Sequence, residues 1–380
     1  MSRSIVSPDD QKVTFVELFF DLVFVFSVTQ VVGLLHDGVT WRAVGEAVLV
    51  FWLVWWGWTQ FTWALNAADT THPRVEVATL IATGVAFFLA VGVPSAFHGY
   101  SRWFAGTYVA VRVLGLLVYD WVAWVDPTQR AAVRLFSAVS LSGLVAVLIG
   151  GFAGGAAQYA WWGLAIVLDV VAAGIGGRAE GWNLHPEHFA ERHGLFVIIA
   201  LGESLIVAAT GLTEGPWPGT VIAAAILAVA VTGTFWWSYF TRAKVDLDHA
   251  LESVDGVDRS RLARDAFSIV HFPVLCGVVA YAASVEEILA HPVDVLPVAG
   301  RVLLGSAVLL FVGGLAAALW RAGIRVAAVR RWVPVLTAIG VVAIPAPGLA
   351  SLAIVLGGML LLAFGEGGGA PDTHLGTQEA

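Results

Sequence analysis

Residues 14–35 read Thr14-Phe15-Val16-Glu17-Leu18-Phe19-Phe20-Asp21-Leu22-Val23-Phe24-Val25-Phe26-Ser27-Val28-Thr29-Gln30-Val31-Val32-Gly33-Leu34-Leu35. Two carboxylates interrupt a stretch that is otherwise almost wholly apolar. Its length matches the ~20 residues that an α-helix needs to cross the hydrocarbon core of a bilayer. Working outward from it, eleven further runs follow, each bounded by charge, Pro or Gly. They lie near 42–65, 75–97, 101–125, 130–152, 156–177, 189–212, 217–241, 264–289, 298–320, 331–346 and 348–365. Pro345 and Pro347 separate the last two, so 331–365 reads either as a short hairpin or as one broken helix, and the count as ten to twelve.

Composition agrees with a membrane solvent. Of the 380 residues, 58% are hydrophobic and 13% are Asp, Glu, Lys or Arg, against about 45–50% and about 25% in soluble domains. Mean hydropathy is +0.82. Charges this sparse cannot cover a water-facing surface, and a disordered chain is excluded for the same reason. The net charge of −8 leaves no basic face for nucleic acid. A single cysteine, Cys276, rules out an intramolecular disulfide. No metal-binding, phosphate-loop or nucleophile motif is present, so neither metal nor cofactor is expected. The expected fold is all-α, a polytopic transmembrane bundle of about 12 spans. With that count, sixteen Lys or Arg fall on one side of the membrane and three (Arg42, Arg102, Arg301) on the other. The positive-inside rule then places the N-terminus in the cytoplasm.

Two halves of the chain look alike. Phe15-Val16-Glu17 followed by Leu22-Val23-Phe24-Val25 matches Phe189-Ala190-Glu191 followed by Phe196-Val197-Ile198-Ile199. Trp58-Thr59-Gln60-Phe61-Thr62, ending the second span, matches Trp237-Ser238-Tyr239-Phe240-Thr241, ending the eighth. Six spans separate the copies, an even number, which corresponds to parallel repeats about an axis along the membrane normal. The expected division is a first six-helix half at 1–177, a cytoplasmic linker at 178–188, a second six-helix half at 189–366, and a disordered tail at 367–380.

Ionisable groups inside a bilayer are costly and need a partner or a purpose. Glu17 and Asp21 share a face of the first span, with Asp21 roughly 10 Å into it. Two ionised carboxylates on one face require a shared proton or a nearby cation. Arg112, the one basic residue at a span centre, is the leading partner. Arg192, His193 and Glu203 lie on the seventh span, Arg192 and Glu203 on one stripe. Asp120 and Asp169 read as deep acids without an adjacent base, and His271 precedes Pro273 in the ninth span, where proline frees a carbonyl. Trp52, Trp55 and Trp56, at i, i+3 and i+4, form an aromatic stripe that either packs against neighbours or lines a ligand cavity.

Val13 to Phe26 resembles the opening signature of the bacterial low temperature requirement protein A family, and Glu191-Arg192-His193-Gly194-Leu195-Phe196-Val197-Ile198-Ile199-Ala200-Leu201-Gly202-Glu203-Ser204 resembles its second. The cluster around Trp55-Trp56 and the His271-Phe272-Pro273 segment also fit. The resemblance implies a multi-pass bacterial inner-membrane protein in contact with membrane lipids, and it brings no established activity. Three readings stay open from the residues. In the first, a secondary transporter couples an unknown solute to protons through Asp21 or Glu203. In the second, a membrane-embedded enzyme acts on a lipid or isoprenoid, a buried acid donating a proton within an aromatic pocket. In the third, a non-catalytic envelope protein uses its acids only for packing.

Overall fold

The computed structural model describes residues 4–8, 10–36, 38–176, 182–213 and 217–367. Among them the secondary structure is helical. Six helices form the first half: α1 (Phe15–Gly33), α2 (Trp41–Ala67), α3 (Pro73–Gly92), α4 (Ser101–Val125), α5 (Arg130–Ala153) and α6 (Gly155–Gly176). The second half comprises α7 (Pro186–Thr213), α8 (Gly219–Ser238), α9 (Lys244–Glu252), α10 (Gly256–Leu262), α11 (His271–Ala290), α12 (Val298–Arg321), α13 (Ala328–Ala343) and α14 (Gly348–Gly367). Residues 178–181 of the expected linker, and the expected tail from 368 onward, lie outside the described residues.

A helix suits this solvent because it satisfies its backbone polar groups internally. Its ends need more. At the start of α1, Glu17 Oε2 accepts from the Thr14 backbone N at 3.0 Å and from Thr14 Oγ1 at 2.9 Å, half of a capping box. Between α5 and α6 the chain reverses on Gly154 and Gly155, with φ of +65° and +54°. Two successive residues without Cβ adopt that left-handed geometry without strain, and so join the helices with almost no loop. The large apolar side chains left exposed, such as Leu117, Val145, Ile226, Leu336 and Phe364, lie around the outside of the bundle, where lipid would meet them.

Among the described residues, eleven helical segments are long and apolar enough to cross a membrane. The twelfth, α13, has 16 residues with Pro334 inside it, about 24 Å at 1.5 Å per residue. Both its ends are nevertheless tied to those of its neighbours. Arg330 at its start binds Glu366 of α14 and the Ser238 carbonyl of α8, while the Val342 carbonyl at its end accepts from Arg301 of α12 at 2.6 Å. The segment 331–365 is therefore a hairpin, α13 and α14, and not a broken helix. Two expected spans also grow. Instead of stopping at 241, the eighth continues through a π-helical turn at Tyr239–Ala243 into α9; the ninth begins at Gly256 and reaches α11 through a second π-helical turn, Ala263–Ile269. Lys244 pairs with Asp248, and Arg264 and Arg321 both pair with Asp265, so part of the charge on these extensions is paired.

Many helix neighbours recur in the two halves, although α2 also packs closely on α4 with no comparable contact of α8 on α12 among the described residues. In the first half α1 packs on α2 and α3, α2 on α6, and α3 to α6 pack in succession. In the second α7 packs on α8 and α11, α8 on α14, and α11 to α14 pack in succession. The two initial helices, α1 and α7, meet at the centre of the molecule, flanked by α2 and α11. Small residues allow the closest approaches. A Cβ on Gly277 of α11 would stand 2.6 Å from the Phe311 backbone N and 2.8 Å from the Ala307 carbonyl O of α12, so these two backbones touch.

Candidate functional site

Glu17 and Asp21 on α1 face Arg192 and His188 on α7, all four fully buried. Arg192 Nη2 donates to Asp21 Oδ1, and Nε reaches Asp21 Oδ2 at 3.4 Å. Its Nη1 lies 3.5 Å from Glu17 Oε1. Trp58 of α2 donates its indole N–H to Asp21 Oδ1 at 2.7 Å and lies beneath the guanidinium, whose Cζ is 5.6 Å from the ring centre. The partner expected from sequence, Arg112, is elsewhere. It donates twice to Asp169 Oδ1 of α6, at 3.1 Å each, and also bonds Tyr108 and Gln60. Position along a helix gives depth but not azimuth, and α4 turns Arg112 toward α6. Asp169, read as lacking a base, has one.

Hydrogen bonds decide the protonation of His188. Asn66 Oδ1 accepts from the His185 backbone N at 2.8 Å, so its amide nitrogen faces the other way, donating to the His185 carbonyl and to His188 Nδ1, each at 3.0 Å. Nδ1 therefore presents a lone pair. Its Nε2, hydrogen-bonded to Glu17 Oε2 at 3.3 Å, carries the proton. A neutral His188 leaves one cation, Arg192, against two carboxyl groups. With both ionised the cluster holds one negative charge in a fully buried setting, whereas Arg112 and Asp169 balance one to one. The two networks are chemically unlike: one is a closed ion pair, the other has room for a proton.

Further along the same seam, Glu203 of α7 is 5% exposed and lies beside Thr29 of α1. No ion-pair partner stands beside it among the described residues. Asp120, expected to be deep, is exposed near the end of α4, where Arg134 is its charged neighbour. His193 is buried, its Nδ1 at 2.9 Å from the Phe189 carbonyl, among the rings of Trp55, Trp58, Phe267 and His271. His271 Nδ1 donates to the Ala266 carbonyl at 2.8 Å, and its Nε2 accepts from Tyr239 at 2.9 Å. Through His271, the first residue of α11, Tyr239 of the first π-helical turn is thereby linked to Ala266 of the second. Pro273 has no N–H to give the preceding turn, and the chain widens just before it.

The tryptophan stripe mostly packs. Trp55 donates to the Ser268 carbonyl at 2.7 Å and stacks on Trp58, and Trp52 stacks on Trp56. Trp56 also lines a cavity of about 40 Å³ with Trp63, Tyr119, Phe136, Trp182 and Arg264. A larger cavity of about 630 Å³ lies between α1, α2, α11 and α12. Glu17, Asp21, Arg192 and Glu203 line neither. Among the described residues no group of His, Cys, Asp or Glu could hold a metal ion.

His188, Asn66, Gln60, Tyr108 and Tyr239 escaped the sequence reading. His188 had a signal, four residues before Arg192 and thus on its helix face. So did Glu17, whose Thr14-x-x-Glu17 spacing is that of a capping box.

A family described as bacterial low temperature requirement A protein (LtrA) matches residues 12–364. An uncharacterized protein of Rhizobium meliloti (strain 1021) is 29% identical over 304 residues, covering 75% of this chain and 71% of its own. No solved structure matches.

Proposed function

This chain belongs to the bacterial low temperature requirement A family, and on that premise we propose that it is a secondary transporter coupling an unknown solute to protons across the bacterial inner membrane. The observation that carries the reading is the surplus acid at the α1–α7 seam. A proton taken up by Glu17 or Asp21 neutralises the cluster; its loss restores the attraction of both carboxylates for Arg192. The strength of the contact between the first helices of the two halves thereby depends on protonation. Intramembrane acids on such seams serve as proton relays. Glu203 with Thr29 extends the polar line along the same helices. The matching helix neighbours support a duplicated architecture, in which the halves rock about a central axis. The Lys and Arg distribution supports an N-terminus in the cytoplasm, which would make the Glu17 end the inner one.

The test is uptake into proteoliposomes bathed in a lipid-and-metabolite extract, with an imposed pH gradient and mass spectrometry of lumen and exterior. Wild type should accumulate at least one unaltered compound, and Asp21→Asn should lose the dependence on the gradient while remaining folded. New product masses that disappear in the variant would replace transport with catalysis. Absence of both accumulation and products would leave only a structural role.

A further inference from the structure

The larger cavity has a form that the acid cluster does not explain. Its walls come from both halves, α1 and α2 on one side and α11 and α12 on the other, and are almost wholly apolar, the exceptions being the hydroxyls of Thr40 and Ser306. Trp41, Val48 and Val298, all exposed, form its rim. From Trp41 to Phe51 along α2 it reaches about 15 Å inward, half the ~30 Å hydrocarbon thickness. At the bottom, Phe51 meets Phe272 with ring centres 5.3 Å apart, and Phe272 in turn stands edge-on to Trp52 at 4.9 Å. Trp52 stacks on Trp56, which lines the smaller cavity on the far side. A run of aromatic contacts thus connects the lining of one cavity to that of the other along α2.

A volume of about 630 Å³ is that of a small-molecule site, such sites spanning ~300–1,000 Å³. Apolar walls do not hold water well, and their complement is hydrocarbon. Apolar walls running inward from an apolar rim select a chain that enters end-on from lipid. We propose that this cavity binds the acyl chain of a single-chain amphiphile, with its polar head level with Thr40 and Trp41 and its tail ending on the Phe51–Phe272 floor. Taken with the transport reading, on which this extension rests, the solute carried is lipid-like. Phe272 then backs the lining residue Phe51 at the inner end of the chain, and it sits just after the π-helical turn and beside Pro273, where the helix is least regular.

Binding is measured on the full chain in nanodiscs, with a fluorescent polyene fatty acid excited through tryptophan and displaced by palmitate. Saturable displacement is expected for wild type. Ala280→Leu, which places a larger side chain on the wall, should weaken palmitate by about tenfold or more and favour shorter chains. Phe272→Ala, opening the floor, should move the preference to longer ones. Chain-length profiles unchanged in both variants, or no saturable binding to wild type, would overturn the proposal. Because either variant could fold poorly, wild type is also photolabelled with a diazirine fatty acid. Adducts on Cys276, Val279 and Leu303 that excess palmitate abolishes are expected; adducts confined to outward positions such as Leu117 and Ile226, insensitive to palmitate, would refute the site. The two readings fail separately. Binding that persists while Asp21→Asn leaves flux unaltered sinks proton coupling alone, and coupled flux of a polar solute with no chain binding sinks this site alone.

Discussion

Removing Arg192 and removing Asp21 should have unequal consequences, and the inequality follows from the charge count. Arg192 is the single cation against two buried carboxyl groups. At 3.5 Å from Glu17 Oε1 its attraction is about 5 kcal/mol with an effective dielectric constant near 20. Arg192→Met deletes that attraction and the bonds to Asp21, leaving two acids to repel each other or to take up protons. A cost of about 3–5 kcal/mol is expected, as for other broken buried pairs. Asp21→Asn removes the surplus acid instead. Glu17 and Arg192 then balance, and an Asn carbonyl still accepts from Trp58, so the loss should stay near 1–2 kcal/mol, about that of a weakened charged hydrogen bond. The control is the balanced pair, where Arg112→Met and Asp169→Asn should cost similar amounts. Reversible unfolding in mixed micelles or steric trapping in bicelles gives all four values. Equal losses for Arg192→Met and Asp21→Asn would refute the surplus-acid argument, and a strongly unequal Arg112 and Asp169 would refute the contrast between the networks.

Other expectations are local. Gly277→Val places atoms where backbone of α12 stands at 2.6 and 2.8 Å; separating the helices should cost about 1–3 kcal/mol or more, and a melting temperature unchanged from wild type would contradict the contact. Trp58→Phe keeps an aromatic ring, though a smaller one, and deletes the 2.7 Å bond to Asp21. The part of its cost owed to that bond, about 1.5–3 kcal/mol, should vanish in an Asp21→Leu background, leaving only the lost ring volume, as a double-mutant cycle would reveal. Tyr239→Phe removes the 2.9 Å bond to His271, which itself holds the Ala266 carbonyl of the second π-helical turn. It should cost about 0.5–1.5 kcal/mol and speed amide exchange around Ala263–Ile269, and protection equal to wild type would show that the bond does not hold the turns.

The general architecture was legible because it depends on one-dimensional properties. Whether a run is apolar enough and long enough to cross a bilayer is written in its residues, and the elements were found in order. The errors were of a different kind. Charged residues at 244–264 marked a loop between two spans, yet helix formation there needs only local hydrogen bonds and is favoured by pairs such as Lys244 with Asp248. Asp120 looked deep because it lies inside the run 101–125, but it falls on the exposed face of α4 with Leu117 and Trp124, not on the buried face with Leu116, Tyr119 and Ala123.

What the sequence determined by itself was the solvent of each segment, the order of the helices and the presence of more acids in the membrane than bases to meet them. It also carried the two signatures, whose residues do face each other. Only the tertiary structure decided which acid meets which arginine, because a helix projects its side chains all around its axis and the choice depends on how neighbours rotate and tilt. It alone placed Asn66 against His188, settling a proton by a hydrogen bond between residues distant in sequence. The cavities, too, exist only between helices. No stretch of α1, α2, α11 or α12 encloses a volume, and a void is a property of how their surfaces fail to meet.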